Sequence, residues 1–288
     1  MTMNFQPQPS ANFAAAFQAL IDEAMEISAQ EREPRDYLGG SRLGVECLRA
    51  LGYEYHHVSV DPGKHFPGKI LRAFDIGHDS ETRMAEYMRL AGFTMLTERP
   101  DGQQFGFGIA PHPETGRSRV AGHIDGVITA GPMGLGRMLD DTVGAERAEF
   151  PMLYPALWEM KALNNKSWND TRCKGVEKSK PVYYVQMQTY MAYLGLGDYP
   201  ALFTALNKDT GEIYAELVPY VPAVAQRASD KGVMVISSAS PEDLPRVSAG
   251  RTDFRCKRCN WSNRCWSAKA APAQPVAQAP AFWGNSAS

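Results

Sequence analysis

Residues 155–163 read PALWEMKAL. The apolar residues on both sides of Glu159-Met160-Lys161 make this a strand, and strand side chains alternate, so Glu159 and Lys161 share one face while Met160 takes the other. A carboxylate and an ammonium on a largely apolar strand are costly unless they pair well or perform chemistry. Working outward, RVAGHIDGVIT (119–129) reads as a strand that carries Asp125 just before a glycine. FTML (93–96) and FGFGI (105–109) are further strands set off by Gly and Pro turns. Downstream, residues 181–196 space Val182, Val185, Met187, Tyr190, Met191 and Leu194 as a helix. ALFTALNKDTGEIYAELVPY (201–220) reads as a hairpin around Lys208-Asp209-Thr210-Gly211, followed by a helix over 221–231. Upstream, Phe13, Phe17, Leu20, Ile21 and Ala24 recur at helical spacing, and Ser41 is placed to cap a helix over 42–51 that carries Cys47. A third helix spans 75–91, with Ile76, Met84, Tyr87 and Met88 on one side. Helices, then antiparallel strands, then strand, helix and hairpin imply an α/β (α+β) fold: a mixed sheet flanked by helices.

The chain has 288 residues, 44% hydrophobic and 22% charged, which supports a sizeable core and excludes a disordered, collagen-like or small disulfide-framework protein. Thirty Lys and Arg against 32 Asp and Glu leave a net charge of −2. There is no global positive field, so any contact with nucleic acid must use local patches. No segment approaches the roughly 18 consecutive apolar residues of a membrane span. The N-terminal stretch lacks a basic start and carries Asp22 and Glu23 within its apolar run, unlike a secretory signal. The expected setting is a reducing cytoplasm without membrane contact, where the five cysteines are thiols or metal ligands. Residues 1–12 read as a flexible N-terminus and 13–269 as the folded domain, interrupted by a long irregular insert at 132–151. Residues 270–288 read as an Ala/Pro/Gln-rich flexible tail that ends near Phe282-Trp283. That aromatic end is a candidate docking peptide for a replication or recombination partner. The oligomeric state is not legible.

Cys256-Lys-Arg-Cys259 followed by Cys265 forms a C-x2-C-x5-C loop, and Cys47 is available as a fourth thiolate. Four thiolates suit zinc or an iron–sulfur cluster, and the lack of a second C-x-x-C or His pair puts the cluster ahead. Cys173 has no companion. Asp125 and Glu159 on adjacent strands would make a hard-oxygen site for Mg²⁺ or Mn²⁺. Such an ion activates water and polarises a phosphodiester. Lys161 would neutralise developing charge. Gln186 and Tyr190, four apart, share a helix face able to reach a phosphate or base. His78 is a candidate ligand near the start of the third helix, and His123, on the strand face of Asp125, is its rival. Residues 161–180 hold Lys161, Lys166, Arg172, Lys174, Lys178 and Lys180 against Asp170 and Glu177, and residues 246–269 hold seven basic residues against Asp253. Such patches track a phosphate backbone, and Trp168, Trp261 and Trp266 are placed to stack on bases.

Taken in order, Gly77-His78, Gly122-His-Ile-Asp125-Gly, Glu159-Met-Lys161 and Gln186-x-x-x-Tyr190 resemble the RecB-type PD-(D/E)XK nucleases. The bracketing Cys47 and Cys256/Cys259/Cys265, with Ser41-x-Leu43-x-x-x-Cys47-x-Arg49, resemble the iron–sulfur subgroup, which includes the CRISPR-associated Cas-four exonucleases and AddB-type nuclease domains. The resemblance spans residues 35–266. It implies a restriction-endonuclease-like central sheet whose N- and C-terminal segments are joined by a 4Fe–4S cluster on Cys47, Cys256, Cys259 and Cys265. It implies Mg²⁺ or Mn²⁺ held by His78, Asp125, Glu159 and the carbonyl of Met160. Lys161 would be the catalytic lysine, with Gln186 and Tyr190 orienting DNA or the lysine. Lys166, Trp168, Arg172 and Lys174 are the expected DNA contacts. The implied activity is metal-dependent DNA exonuclease action, on single-stranded ends, in recombination, repair or CRISPR adaptation; the rival is a non-catalytic iron–sulfur or zinc DNA-binding module. The proline of the motif name is absent before Asp125, and the 129–155 insert is longer than in compact members.

Overall fold

The computed structural model describes residues 11–132 and 154–267. Phe282-Trp283 and most of the insert lie outside the described residues.

The strand β6, Ala156–Leu163, is buried along most of its length because helices cover both faces of its sheet. One face carries Leu157 and Leu163, packed against Trp168 and Val176 of α4 (Asn165–Ser179) and Met187 and Met191 of α5 (Pro181–Leu194). The other face carries Trp158 and Met160, packed against Met84, Ala85 and Met88 of α3 (Gly68–Leu90). β6 runs parallel to β7 (Ala201–Asn207), and the α4–α5 pair is the crossover that a parallel connection demands. β7 turns back into β8 (Ile213–Val218), the expected hairpin. On the other side, β5 (Gly126–Ala130) pairs antiparallel with β6, and β2 (Thr94–Leu96) with β5. The result is a five-stranded mixed sheet in the order β2-β5-β6-β7-β8, flanked by helices.

A second, three-stranded sheet forms from β1 (Leu38–Gly39), β4 (Ser118–His123) and β3 (Gly106–Pro111), in the order β1-β4-β3. Its core is shared with α2 (Leu48–Tyr55) and α6 (Pro222–Ile236) through Leu38, Leu51, Val120, Ala228 and Val235. The stretch read as one strand over 119–129 is therefore two strands in two sheets. The break falls at Ile124-Asp125: the Ile124 N–H bonds the Phe105 carbonyl, its side chain is buried, and the chain then enters the larger sheet.

Several helices differ from their reading. α2 begins after Cys47, with Cys47 at its N-cap and a single 3-10 turn over Gly40–Arg42, so the helix does not start at Arg42. α3 begins seven residues before Asp75, and only Met84 and Met88 of its expected apolar side are buried; Ile76 and Tyr87 are about half exposed. α4 was not legible at all, although Asn164 caps it by accepting from the Ser167 N–H at 2.8 Å. α1 (Ala11–Gln30) is present, and its Phe13, Phe17 and Leu20 remain exposed. It is held to α3 by Asp22 with Arg72 and by Glu26 accepting from the Gly68 N–H at 2.8 Å. No helix among the described residues is long and apolar enough to cross a membrane.

Two glycines show how tightly the strands meet the helices. An added Cβ at Gly122 in β4 would come within 2.8 Å of ring atoms of both Phe107 and Tyr190, whereas one at Gly77 in α3 would meet nothing within 4 Å. Gly122→Ala is expected to destabilise by about 1–3 kcal/mol through overpacking. Gly77→Ala is expected to stabilise by about 0.5–1 kcal/mol, because a helix-interior glycine carries that entropic penalty. Thermal denaturation of the two variants, moving in opposite directions, checks this account of the packing.

Candidate functional site

Asp125, Glu159 and Lys161 are brought together by the register of β5 and β6. Gly126 pairs with Trp158, so Asp125 stands opposite Glu159 just beyond the last paired residue of β5. With β5 gone at this point, the N–H of Met160 has no ladder partner, and the Asp125 Oδ2 accepts it at 2.7 Å. A side chain thus completes the hydrogen bonding that the strand would have supplied.

Glu159 is fully buried and faces α5, as the strand alternation requires. Its Oε1 accepts from the Gln186 Nε2 at 2.7 Å and pairs closely with the Lys161 ammonium. The same ammonium donates to the Met160 carbonyl at 2.8 Å and lies 3.8 Å from the Asp125 Oδ2. Asp125, Glu159 and the Met160 carbonyl, three of the four expected ligands, therefore converge on one point, at which the ammonium of Lys161 is the cation. The second oxygen of Glu159, Oε2, is buried and has no hydrogen-bond partner.

Glu81, on α3, belongs to the same cluster. Burial, then repulsion from Asp125, pushes its carboxyl up to about 7, while Lys161 acts in the opposite direction. Burial and Asp125 likewise hold Glu159 well above the usual carboxylate range. Burial works against the charge on Lys161, but Glu159 and Asp125 outweigh it and keep the ammonium charged. Three carboxylates face one ammonium, so the cluster carries surplus negative charge when ionised. Glu81 was missed in the sequence, though a signal existed. It stands three residues after His78, hence one turn on along the same helix face.

The cluster opens into a cleft of about 850 Å³, lined by His78, Glu81, His123, Asp125, Lys161 and Gln186 among others. Both candidate histidines border it, His78 from the exposed side of α3 and His123 from the end of β4. Gln186 orients Glu159 and does not bond the lysine. Tyr190 is buried against Phe107, with ring centroids 5.4 Å apart, and burial followed by the nearby carboxylates keeps its phenol protonated. Of the expected DNA contacts, Trp168 is a core residue, 4% exposed, whose indole N–H bonds the Ala205 carbonyl at 3.0 Å; it cannot stack on bases. Lys166, Arg172 and Lys174 are exposed on α4 and do not line the cleft, and Lys174 is paired with Asp170.

The four cysteines of the terminal pattern line a separate cavity of about 310 Å³, together with Val45, Ala50, Val182 and Phe254. Cys47 comes from the start of α2, and the others from α7 (Phe254–Lys257), α8 (Ser262–Ser267) and the turn between them. All are free thiols, as is the exposed Cys173. Burial raises the Cys256 and Cys259 thiols. Arg246 donates to the Cys265 Sγ at 3.3 Å and lies over the Trp266 ring. Among the described residues, no three His, Cys, Asp or Glu side chains are drawn tightly enough to form a ready-made single-ion cage.

No family model and no curated protein matches the chain. Among solved structures, the protein SSO0001 is similar over 88% of this chain and 97% of its own, at 13% identity and a TM-score of 0.43. The alkaline exonuclease LHK-Exo from Laribacter hongkongensis is similar over 75% of this chain and 91% of its own, at 15% identity and a TM-score of 0.43. The same enzyme in complex with dAMP gives 14% identity and a TM-score of 0.39, over 76% and 91%. Likeness of this degree carries no argument about the reaction.

Proposed function

We propose that the chain is a divalent-metal-dependent deoxyribonuclease that hydrolyses phosphodiester bonds as an exonuclease on single-stranded ends. The observation that carries this reading is the convergence of Asp125, Glu159 and the Met160 carbonyl on the Lys161 ammonium beside an open cleft. The ordered motifs, with their resemblance to RecB-type nucleases, support DNA as the substrate and recombination, repair or CRISPR adaptation as the setting.

Asp125, Glu159 and the Met160 carbonyl, with Glu81 or His78 from α3, would hold Mg²⁺ or Mn²⁺. The donor types fit, although the side chains are not drawn into a ready-made cage: they are mainly hard oxygen, they carry surplus negative charge when ionised, and the Glu159 Oε2 is buried without a partner. Such an ion supplies Lewis acidity toward a phosphoryl oxygen and lowers the pKa of water. The chain's own residues do the rest. Lys161, partly exposed to the cleft, presents a fixed positive charge where a phosphodiester gains negative charge on attack. Gln186 holds one oxygen of Glu159, which fixes the direction of the other. Asp125 is fixed by the Met160 N–H.

We also propose a 4Fe–4S cluster on Cys47, Cys256, Cys259 and Cys265. Four free thiols border one largely apolar cavity with room for far more than a single ion. The cluster would be structural, adding a second joint between α2 and the C-terminal loop.

Mn²⁺ at about a hundred times its dissociation constant is expected to stabilise the wild type by about 2.7 kcal/mol, and most of that gain is lost in Asp125→Asn. Calorimetry that shows no shift in either protein removes the ion from this site. Wild-type protein is expected to degrade labelled single-stranded DNA with Mn²⁺, and Asp125→Ala or Lys161→Ala to slow it by about 10²-fold or more. Cleavage undiminished in both variants would overturn the site, and tight binding without cleavage would favour the non-catalytic module. Anaerobically purified protein is expected to contain iron and acid-labile sulfide in equal amounts, lost in Cys256→Ser; stoichiometric zinc in colourless protein would replace the cluster with a structural zinc site.

A further inference from the structure

The α3 face that carries Glu81 continues along the cleft. Phe74, Gly77, His78 and Glu81 fall at i, i+3, i+4 and i+7, which is one stripe of a helix, and all four line the cleft. Phe74 is 46% exposed, and Phe66, from the loop before α3, is 51% exposed. Their rings meet edge to face, with centroids 5.2 Å apart and planes at 83°. The pair leaves apolar ring surface in water, where a fully buried phenylalanine would contribute about 1.5–3 kcal/mol. Packing among the described residues therefore does not account for these rings. Phe107, also near the cleft, is packed against Tyr190 and Tyr193.

We propose that Phe66 and Phe74 form a stacking platform for the bases of a single DNA strand whose backbone reaches Glu81, Asp125 and Lys161. This rests on the nuclease reading and deepens it by naming what selects a single strand. Three observations favour nucleobases as the occupant. The platform is continuous with the carboxylate cluster, since Phe74 and Glu81 lie two helical turns apart, about 10 Å along the axis. The same cleft is lined by Arg35, whose guanidinium suits a phosphate backbone, and by Arg42, which is paired with Glu54 at 3.0 Å. Gly77 stands between platform and cluster, and its position is open, so the strand has room to pass over bare helix. Aromatic side chains stack on unpaired bases whatever their sequence. In a duplex, base faces are covered by their neighbours, so a platform of this kind discriminates against it.

The test is fluorescence anisotropy of the full-length protein without divalent metal. One probe is a labelled thymidine oligonucleotide, and the other is the same backbone with abasic spacers. Phe66→Ala and Phe74→Ala are expected to weaken binding of the base-bearing strand by roughly 5- to 150-fold, the range one stacked base represents. The abasic strand is expected to bind wild type and variants alike, and Phe74→Trp to restore base-dependent binding. Gly77→Leu is expected to raise the melting temperature, as a better helix former, yet weaken binding by filling the passage. Equal weakening on both probes, or none on either, overturns the platform, as does a change in oligomeric state that shows a second copy of the chain to be the occupant. Wild type that does not bind the oligonucleotide overturns it too. Base-dependent binding without any cleavage under Mn²⁺ sinks the nuclease reading and leaves the platform standing. Cleavage indifferent to both phenylalanines does the reverse.

Discussion

The ion pair between Glu159 and Lys161 lies inside a largely apolar sheet, and the rest of the site is arranged around it. Taking a carboxylate fully out of water costs several kcal/mol even when it is paired, and a well-packed apolar pair of similar volume is often as stable or more so. Stability alone therefore does not explain why β6 carries Glu-Met-Lys at its centre. The surroundings show what the pair requires: Gln186 from α5, the carbonyl of Met160, and Asp125 at the point where β5 stops. Glu81, approaching from α3, is a third carboxyl in the cluster, and burial and Asp125 oppose its ionisation. A cluster with more carboxylates than cations is a poor structural ion pair and a reasonable site for a small, hard cation.

Much of this site was legible because it is encoded by local rules. β6 and α5 stand out as apolar runs, and the alternation along β6 correctly assigned Glu159 and Lys161 to one face and Met160 to the other. The association of Asp125 with Glu159 followed from the order of motifs. What was not legible depended on tertiary context. Nothing in RVAGHIDGVIT announces that the chain changes sheets at Asp125, because its strand-like composition continues on both sides. α4 is polar, and Gly175 sits within it at a φ of 76°, so no helical stripe stood out. Trp168 lay among basic residues and resembled a base-stacking side chain, whereas the core of the sheet claims it. Ile76 and Tyr87 matched the period of α3 but lie off its buried face. Glu81 needed the fold to show which side of that long helix meets the carboxylates.

The cysteine cavity and the carboxylate cleft share a wall. Val182, in the first turn of α5, borders both, and Gln186 follows it one turn on along the same helix face. A Cβ added at Gly44, three residues before Cys47, would lie 2.6 Å from the Val182 Cα, so the backbone that presents Cys47 rests directly on α5. On the other side, Asn260 and Trp261, next to Cys259, line the cleft. The segment carrying the thiols is also fixed without them. Arg49 donates to the carbonyls of Leu244 and Glu242 at 2.7 and 2.8 Å, Trp261 donates to the Val58 carbonyl at 2.7 Å, and the buried Asp61 caps the first turn of α8. This differs from small metal-dependent modules, in which the ligated ion is the core and its loss unfolds the domain. Here three apolar clusters and these hydrogen bonds hold the architecture. A group bound by the four thiols would act on a scaffold that is already formed, and its mechanical reach toward Glu159 would pass through α5, which both cavities touch.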